Sequence, residues 1–172
     1  MDGRVTLRPF SEEEYHAFFR RYVPDPVIDP NPFVYNREMI DRSYRYNYGG
    51  FRENYAHFGV FLDSDPVGNL QLKRIDRARG LCEIGIILRD EGVKDRGIGT
   101  QAVRLAMQKA KDEYGLQKMA GDTMGQNKRM IRVFEKLGFR LTERVEGAFS
   151  LPDGSREDRL VYEKTLVEDL DP

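Results

Sequence analysis

The stretch Lys94-Asp95-Arg96-Gly97-Ile98-Gly99-Thr100 lies between two segments of opposite character. Before it, LCEIGIIL at 81–88 is the most apolar run in the chain, and a nearly continuous apolar run predicts a central strand covered on both faces. After it, residues 97–115 place apolar side chains on one helical face up to Gly115. The order strand, glycine loop, helix predicts a mixed α/β fold with an anion site at the start of the helix, where unpaired amides and the helix dipole favour phosphate.

Three interpretations of this loop are open. A Walker loop would end in Gly-Lys-Ser or Gly-Lys-Thr, which is absent. A dinucleotide-binding loop fits the letters Gly97, Gly99 and Ala102, but eight residues separate the apolar strand from Gly97, which is unlike that fold. A plain glycine turn that caps a helix is the third interpretation. Glycines at 97 and 99 leave room for a pyrophosphate, and Lys94 and Arg96 add positive charge against Asp95.

The elements around the loop are predicted from hydrophobic periodicity and from the residues that begin or end helices and strands. Alternation predicts a first strand at 5–10, and Ser11 before three glutamates predicts a helix from there to about residue 22. Four prolines make 24–32 a loop. The remaining pattern predicts helices at 37–48, 97–115 and 127–137, and strands at 56–63, 67–75, 81–88, 118–123, 139–147 and 157–167.

Composition limits the class of protein. With 172 residues, 40% apolar and 33% charged, the chain predicts one folded domain over 1–172. Lys plus Arg number 28 against 29 Asp plus Glu, which argues against nucleic acid as a partner, and Arg74–Arg79 predicts a solvated basic hairpin. No apolar run is long enough to span a membrane and the N-terminus lacks a signal-peptide pattern, so a cytoplasmic protein is expected. Cys82 is the only cysteine, so no cysteine-based metal site is expected.

Two blocks together resemble the GCN5-related N-acetyltransferase (GNAT) family. Lys94 through Gly99 resembles its Arg/Gln-x-x-Gly-x-Gly/Ala signature, with Lys94 at the Arg/Gln position. Residues 127–139, NKRMIRVFEKLGF, resemble the second block, in which an asparagine opens a helix that ends before the next strand. Leu7–Phe10 resembles the opening strand, and 153–158 resembles the hairpin of the branch that includes ribosomal-protein and polyamine acetyltransferases.

The resemblance implies an α/β (α+β) fold with a mixed, mostly antiparallel central sheet, splayed at its middle and flanked by helices, with acetyl-CoA in the splay. It implies an amine as acceptor, no metal, and a homodimer as one option. Arg132 and Lys136 either approach the phosphates or form an ordinary exposed helix face. The implied cofactor-binding residues are Ile86, Ile87 and Leu88 for the pantetheine, Lys94, Asp95, Arg96, Gly97, Ile98, Gly99 and Thr100 for the pyrophosphate, and Asn127 for its far side.

Acetyl transfer to an amine needs a base, because an alkylamine with a pKa of about 10 is protonated at neutral pH. Glu83 in the central strand is the candidate base, on the same face as Gly85 and Ile87. The alternative is a structural carboxylate, at the solvated end of the strand or paired with an arginine such as Arg104. The family's proton-donating tyrosine is replaced by Phe134, so that water or another tyrosine would protonate the thiolate. Cys82 has the opposite parity to Glu83 and is expected in the core.

The segment 42–52, RSYRYNYGGFR, is a candidate surface for recognition of the acceptor amine. Four aromatic residues and three arginines in this segment fit recognition of an aromatic or carboxylate-bearing amine and argue against a polyamine. They equally fit tyrosines that pack a helix, with solvated arginines between them. Because the tyrosine is missing at 134, an acyl-CoA-binding sensor or subunit without turnover is the alternative to an enzyme.

Overall fold

The computed structural model describes residues 3–166. The described residues form seven strands and four α-helices, and a short 3-10 helix at Glu91–Val93 precedes the third α-helix. In chain order the elements are β1 (Val5–Arg8), α1 (Glu12–Arg21), α2 (Arg37–Tyr48), β2 (Ala56–Leu62), β3 (Asp65–Asp76), β4 (Leu81–Leu88), α3 (Ile98–Asp112), β5 (Lys118–Met124), α4 (Lys128–Lys136), β6 (Arg140–Ser150) and β7 (Arg156–Thr165).

The strands form one seven-stranded sheet in the order β1-β2-β3-β4-β5-β7-β6. Neighbouring strands are antiparallel except β4 and β5, which are parallel. A parallel pair needs a crossover, and α3 supplies it between these two strands. The mixed, mostly antiparallel sheet flanked by helices that the resemblance implied is therefore confirmed.

The two faces of the sheet carry different cores. On one face, Cys82 and Ile84 of β4 pack with Ala102, Val103 and Ala106 of α3, in the larger aliphatic cluster. On the other face, α1 and α2 form an aromatic cluster around Tyr15, Phe18 and Phe61. Side chains alternate across a strand, so successive residues of β4 face different environments.

The local signals at the helix starts are confirmed. Ser11 accepts the backbone N–H of Glu14, and the Glu14 side chain accepts the backbone N–H of Ser11, which completes a capping box for α1. Asn127 accepts the backbone N–H of Met130 at 3.2 Å and begins α4. These caps fix where each helix begins, and they match the predicted starts within one residue.

Several predicted bounds are corrected. The first strand ends at Arg8 rather than at residue 10, β3 begins already at Asp65, and β6 extends to Ser150. The predicted last strand included residue 167, which lies outside the described residues. Among residues 3–166, no helix is long and apolar enough to cross a bilayer.

The prediction that both faces of β4 are covered is wrong. β4 is central, but Ile87 is 38% exposed and the Glu83 side chain is 34% exposed. Cys82 and Ile84, on the opposite face, are only 2% and 4% exposed. The helices α1 and α2 pack over the end of the sheet near β1 and β2, and they leave the Glu83–Ile87 face of β4 half open.

Candidate active site

The sheet opens between β4 and β5. Leu81–Ile84 pairs with Lys118–Gly121, but β4 continues to Leu88 and β5 to Met124 with no further pairing between them. The backbone of β4 beyond Ile84 therefore lacks ladder partners on this side. Polar groups of this kind are satisfied by water or by a ligand. The splayed sheet implied by the resemblance is present at this position.

A cavity of about 390 Å³ lies at this opening. β4 provides one wall, the start of α3 another, and α4 a third. Most of the residues that the sequence predicted to bind the cofactor line this cavity. Arg132 and Lys136 of α4, for which the sequence left phosphate contact and an exposed helix face open, line it as well. The lining includes Ile86, Ile87, Leu88, Lys94, Asp95, Gly97, Gly99, Thr100, Asn127, Arg132 and Lys136.

Two residues that the sequence predicted to bind the cofactor, Arg96 and Ile98, do not line the cavity with their side chains. Ile98 is 1% exposed and packs in the aliphatic core, where it anchors the first turn of α3. Arg96 points to solvent, and its guanidinium donates to the carbonyl oxygen of Gly92 at 3.4 Å. Of the two, Ile98 can contribute only backbone groups to a bound ligand.

The N-terminus of α3 has the geometry of an anion site. Gly97 precedes the helix with φ +79°, a left-handed conformation that glycine adopts without steric cost, and it provides no side-chain cap. The amides of the first turn are thus left to another partner. A Cβ placed on Gly99 would lie 3.9 Å from both Leu88 Cδ1 and Val133 Cγ2, among residues that line the cavity. The missing side chain keeps that space open.

A network of ion pairs surrounds the mouth of the cavity. Arg129 on α4 contacts Glu91 at 2.8 Å and Asp95 at 3.2 Å. Lys94 contacts Glu91 at 3.1 Å, and Asp25 lies 3.7 Å from Lys94 and 3.5 Å from Arg129. The hydrogen bond from Arg129, followed by that from Lys94, holds the pKa of Glu91 below its ordinary value. Carboxylates therefore pair with both Lys94 and Arg129 at the mouth of the cavity.

The connection between α1 and α2 covers the cavity, which the sequence did not indicate. Tyr22, Asp25, Ile28 and Asp29 all line it, and the backbone N–H of Val23 donates to the carbonyl oxygen of Arg89 at 2.8 Å. The sequence predicted only a proline-rich loop here, because nothing periodic marks a segment whose position is set by long-range contacts. Burial, and after it Asp29 and Asp25, raises the pKa of Tyr22 above its ordinary value.

Glu83 lies on the half-open face of β4 and contacts Arg74 of β3, with Arg74 Nη1 2.5 Å from Glu83 Oε2. The suggestion that Arg104 is its partner is wrong, because α3 packs on the opposite face. Glu83 does not line the cavity between β4 and α3. The register places it opposite Lys73 of β3 and Ala120 of β5, at the last stretch where β4 and β5 remain paired.

Phe134 and Cys82 are core residues. Phe134 is 1% exposed, and its ring stacks on Tyr162 with centroids 5.0 Å apart and an interplanar angle of 19°. The ring also packs directly against Gly121, where a Cβ would lie only 2.5 Å from Phe134 Cζ. Cys82 is 2% exposed, and burial raises the pKa of its thiol to about 12, so it is protonated at neutral pH and is a poor nucleophile.

One other cluster has the residue types of a metal site. Glu12, His16 and Asp41 bring potential ligand atoms within 4.8 Å of one another. Both imidazole nitrogens of His16 are already engaged, Nε2 with Asp41 and Nδ1 with the Tyr35 hydroxyl, each at 2.6 Å. These hydrogen bonds connect α1 to α2 through Asp41 and to the preceding connection through Tyr35.

Comparison with known proteins places this geometry in a family. Residues 4–140 match the family model described as an acetyltransferase (GNAT) domain. Over 86 residues, 48% of this chain, the sequence is 38% identical to the "Probable N-acetyltransferase YjcK" of Bacillus subtilis (strain 168). That match covers 47% of the relative, so the aligned part spans about half the length of the curated relative.

Solved structures share the fold over nearly the whole chain. A RimL ribosomal L7/L12 alpha-N-protein acetyltransferase in complex with coenzyme A is 17% identical, with a TM-score of 0.77, and the match covers 96% of this chain and 95% of that one. A spermidine N-acetyltransferase SpeG chimera from Vibrio cholerae and hSSAT is 15% identical, with a TM-score of 0.80 and coverage of 94% and 95%. A GNAT-family acetyltransferase from Bacillus anthracis is 19% identical, with a TM-score of 0.77 and 96% coverage of both chains.

These structural matches establish the fold, and the family model, which spans 137 of the 172 residues, establishes the relationship. Two features of this chain reflect the relationship: the opening of the sheet between β4 and β5, and the glycine that precedes α3. The chain belongs to the GNAT family of acetyltransferases.

Proposed function

We propose that the chain, over residues 1–172, is one N-acetyltransferase domain that transfers the acetyl group of acetyl-CoA to a primary amine, on a protein N-terminus or a small molecule. The observation that carries the proposal is the cavity of about 390 Å³ between the open end of β4 and the start of α3. As proposed, the reaction takes place in the cytoplasm and needs no metal, nucleic acid or membrane. A homodimer remains part of the proposal through family resemblance.

The cavity fits the chemistry of coenzyme A in shape and charge. Apolar side chains on β4 and α4 suit a pantetheine arm, and the unpaired backbone of β4 suits its amides. Four cations line the cavity against three carboxylates, and a polyanion would compete with those carboxylates for Lys94 and Arg129. The cations are Lys94, Arg129, Arg132 and Lys136, and the carboxylates are Asp25, Asp29 and Asp95.

In this proposal the pyrophosphate contacts the amides at Gly97–Thr100 and takes the place of carboxylates around Lys94 and Arg129. Asp95 and Arg96 belong to the same loop, and Ile98 holds its first helical turn in the core. Asn127 acts through the helix start that it caps.

Acetyl-CoA supplies a thioester carbonyl. The amine nitrogen forms a bond to the carbonyl carbon, the carbon–sulfur bond breaks, and the amine loses one proton. Glu83 is our candidate for the base that takes this proton, directly or through water. Arg74 holds the carboxylate on the open face of β4, and the Arg74 side chain is 76% exposed, so it can move aside for an acceptor. The thiolate leaves without a proton from residue 134, because phenylalanine has none.

The second candidate function is an acyl-CoA-binding subunit without turnover. It is favoured by one observation, the burial of Phe134 at the position of the family's tyrosine. The two functions differ in thiol release. We expect acceptor-dependent release of free thiol from acetyl-CoA across a panel of N-terminal peptides, amino acids, aminoglycosides and polyamines. Stabilisation of the fold by acetyl-CoA without thiol release from any acceptor would favour the second function.

A further inference from the structure

A second cavity, the basic recess, lies at the C-terminal end of β3. It has a volume of about 740 Å³ and lies between the segment that precedes β2 and the last residues of β3. The sequence predicted a solvated hairpin for Arg74–Arg79, and the structure turns the first residues of that hairpin toward this space. Its lining consists of Arg52, Glu53, Asn54, Tyr55 and residues 73–77.

Irregular backbone builds the recess. The register between β3 and β4 shifts between Lys73 and Asp76, and Arg74 in this bulge has φ +48°. Across the recess, Asn54 has φ +56°, and its carbonyl oxygen accepts the backbone N–H of Ile75 at 3.0 Å. Left-handed conformations at non-glycine residues carry an energetic cost, and bulges of this kind re-aim side chains beside active sites.

The charges of the recess are unbalanced. Four cations line it, Arg52, Lys73, Arg74 and Arg77, against the carboxylates of Glu53 and Asp76. Asp76 already accepts the backbone N–H of Arg79 at 3.0 Å. Lys73 is half-buried and lies opposite Glu83 in the strand register, and within residues 3–166 it forms no ion pair. An ammonium group that forms no ion pair of its own can accept an anion.

Lys73 connects the recess to the proposed reaction centre. A Cβ placed on Gly85 would lie 3.6 Å from Lys73 Nζ, so the ammonium group lies over the β4 backbone. Gly85 immediately precedes Ile86, where the lining of the cofactor cavity begins, and it shares a face with Glu83. The adjacent Arg74 contacts Glu83 itself. An acceptor with its amine at Glu83 would therefore place a neighbouring functional group beside the ammonium group of Lys73.

The outer wall of the recess adds one more cation, Arg52, packed on the ring of Tyr55. The Arg52 guanidinium lies 3.4 Å from the centroid of the Tyr55 ring and donates to Asn47 Oδ1 at 3.1 Å, which holds it at the edge of the recess. The Tyr55 hydroxyl is buried, with no hydrogen-bond partner among the described residues.

We propose that the basic recess holds a carboxylate of the acceptor, with Lys73 as the residue that determines specificity. The substrate class is then an amine with a carboxylate close to it, such as an amino acid or a peptide with an acidic residue near its N-terminus. The inference rests on the proposed acetyl transfer and narrows its acceptor. Polyamines, which carry only positive charge, are excluded from this site by repulsion from the same cations.

The test compares matched acceptors in the thiol-release assay. Alanine is compared with alaninamide, and a peptide with aspartate at its second position with the same peptide carrying asparagine. We expect kcat/KM for the carboxylate member to exceed that of its amide by about 10-fold or more, through KM, as for a charge-assisted contact. The amino-acid pair and the peptide pair distinguish a free amino acid from a peptide as the source of the carboxylate.

Variants of Lys73 and Arg79 test whether the preference for a carboxylate acceptor arises in the basic recess. Lys73→Met should raise KM for the carboxylate acceptor about 10-fold, leave the amide acceptor unchanged, and leave the Kd of acetyl-CoA unchanged. Lys73→Arg should restore the preference, because it keeps the charge. Arg79→Met removes a cation from the same hairpin but outside the recess, and it should behave like the unmodified protein.

The outcomes separate this inference from the function on which it rests. If amines are acetylated but the amide acceptors work as well as the carboxylates, the inference fails and the acetyltransferase proposal stands. Equal loss of both acceptor types in Lys73→Met would also overturn it. If no amine releases thiol although acetyl-CoA binds, the enzyme proposal fails and the inference fails with it.

Discussion

Replacing Gly99 by alanine should move stability and acetyl-CoA binding in opposite directions. Gly99 is the second residue of α3 and has no positive φ, so an alanine fits its backbone. The new methyl group would meet Leu88 and Val133 at 3.9 Å, an ordinary van der Waals distance. Alanine exceeds glycine in helix propensity, so we expect the free energy of unfolding of the free protein to rise by about 0.5–1 kcal/mol.

The same methyl group would take space in front of the helix amides. We expect acetyl-CoA to bind about 10-fold more weakly, a loss of about 1.4 kcal/mol. At a ligand concentration of about 100 times the original Kd, acetyl-CoA should stabilise the unmodified protein by about 2.7 kcal/mol and the variant by about 1.4 kcal/mol. Thermal unfolding with and without acetyl-CoA measures both quantities, and the free variant should unfold about 1–4 °C higher.

Gly97→Ala is the matched control, two residues away. Gly97 has φ +79° and no atom within 4 Å of its Cβ position, so its alanine meets no neighbour but is strained. It should lower the free energy of unfolding by about 1–2 kcal/mol. Unchanged acetyl-CoA affinity in Gly99→Ala would refute the placement of the phosphates at α3, and a destabilised Gly99→Ala protein would refute the packing described for the cavity.

Three further predictions concern catalysis, packing and pH. Glu83→Gln should lower kcat by more than about 10-fold with little change in acetyl-CoA affinity, and an unaltered rate would remove Glu83 from the mechanism. Gly121→Ala should cost about 1–3 kcal/mol in urea unfolding, because its methyl group would clash with the buried ring of Phe134, and a neutral result would contradict that contact. Burial lowers the pKa of His57 to about 4, so the unfolded chain, with a pKa of about 6.5, binds the proton first as pH falls. Stability should therefore drop by about 2 kcal/mol between pH 7 and pH 5, and a His57→Gln protein that kept this drop would show that another group causes it.

The fold could be predicted from the sequence because its signals are local. The apolar run at 81–88, the glycines at 97 and 99, and the asparagine at 127 each specify an element within a few residues of themselves. The spacing of the two family blocks then implied the splayed sheet. For the same reason most of the cavity wall was predictable as a cluster, since Ile86–Leu88 and Lys94–Thr100 are adjacent in the chain to the elements that position them.

The rest depended on contacts between distant segments. The cover over the cavity comes from the α1–α2 connection, whose place is fixed by Val23 against Arg89 and by Asp25 near two cations. The partner of Glu83 proved to be Arg74, because a bulge in β3 turns that side chain toward β4. Neither feature has a periodic signature.

The sequence by itself therefore determined which elements form, in which order, and where a glycine loop leads into a helix. Each of those depends on backbone hydrogen bonds and side-chain patterns within one segment. Only the tertiary structure decided which face of β4 stays open, which carboxylates occupy Lys94 and Arg129, and that Lys73 lies over Gly85. Those features depend on how two sheet faces are covered by different helices, and that packing is settled by the chain as a whole.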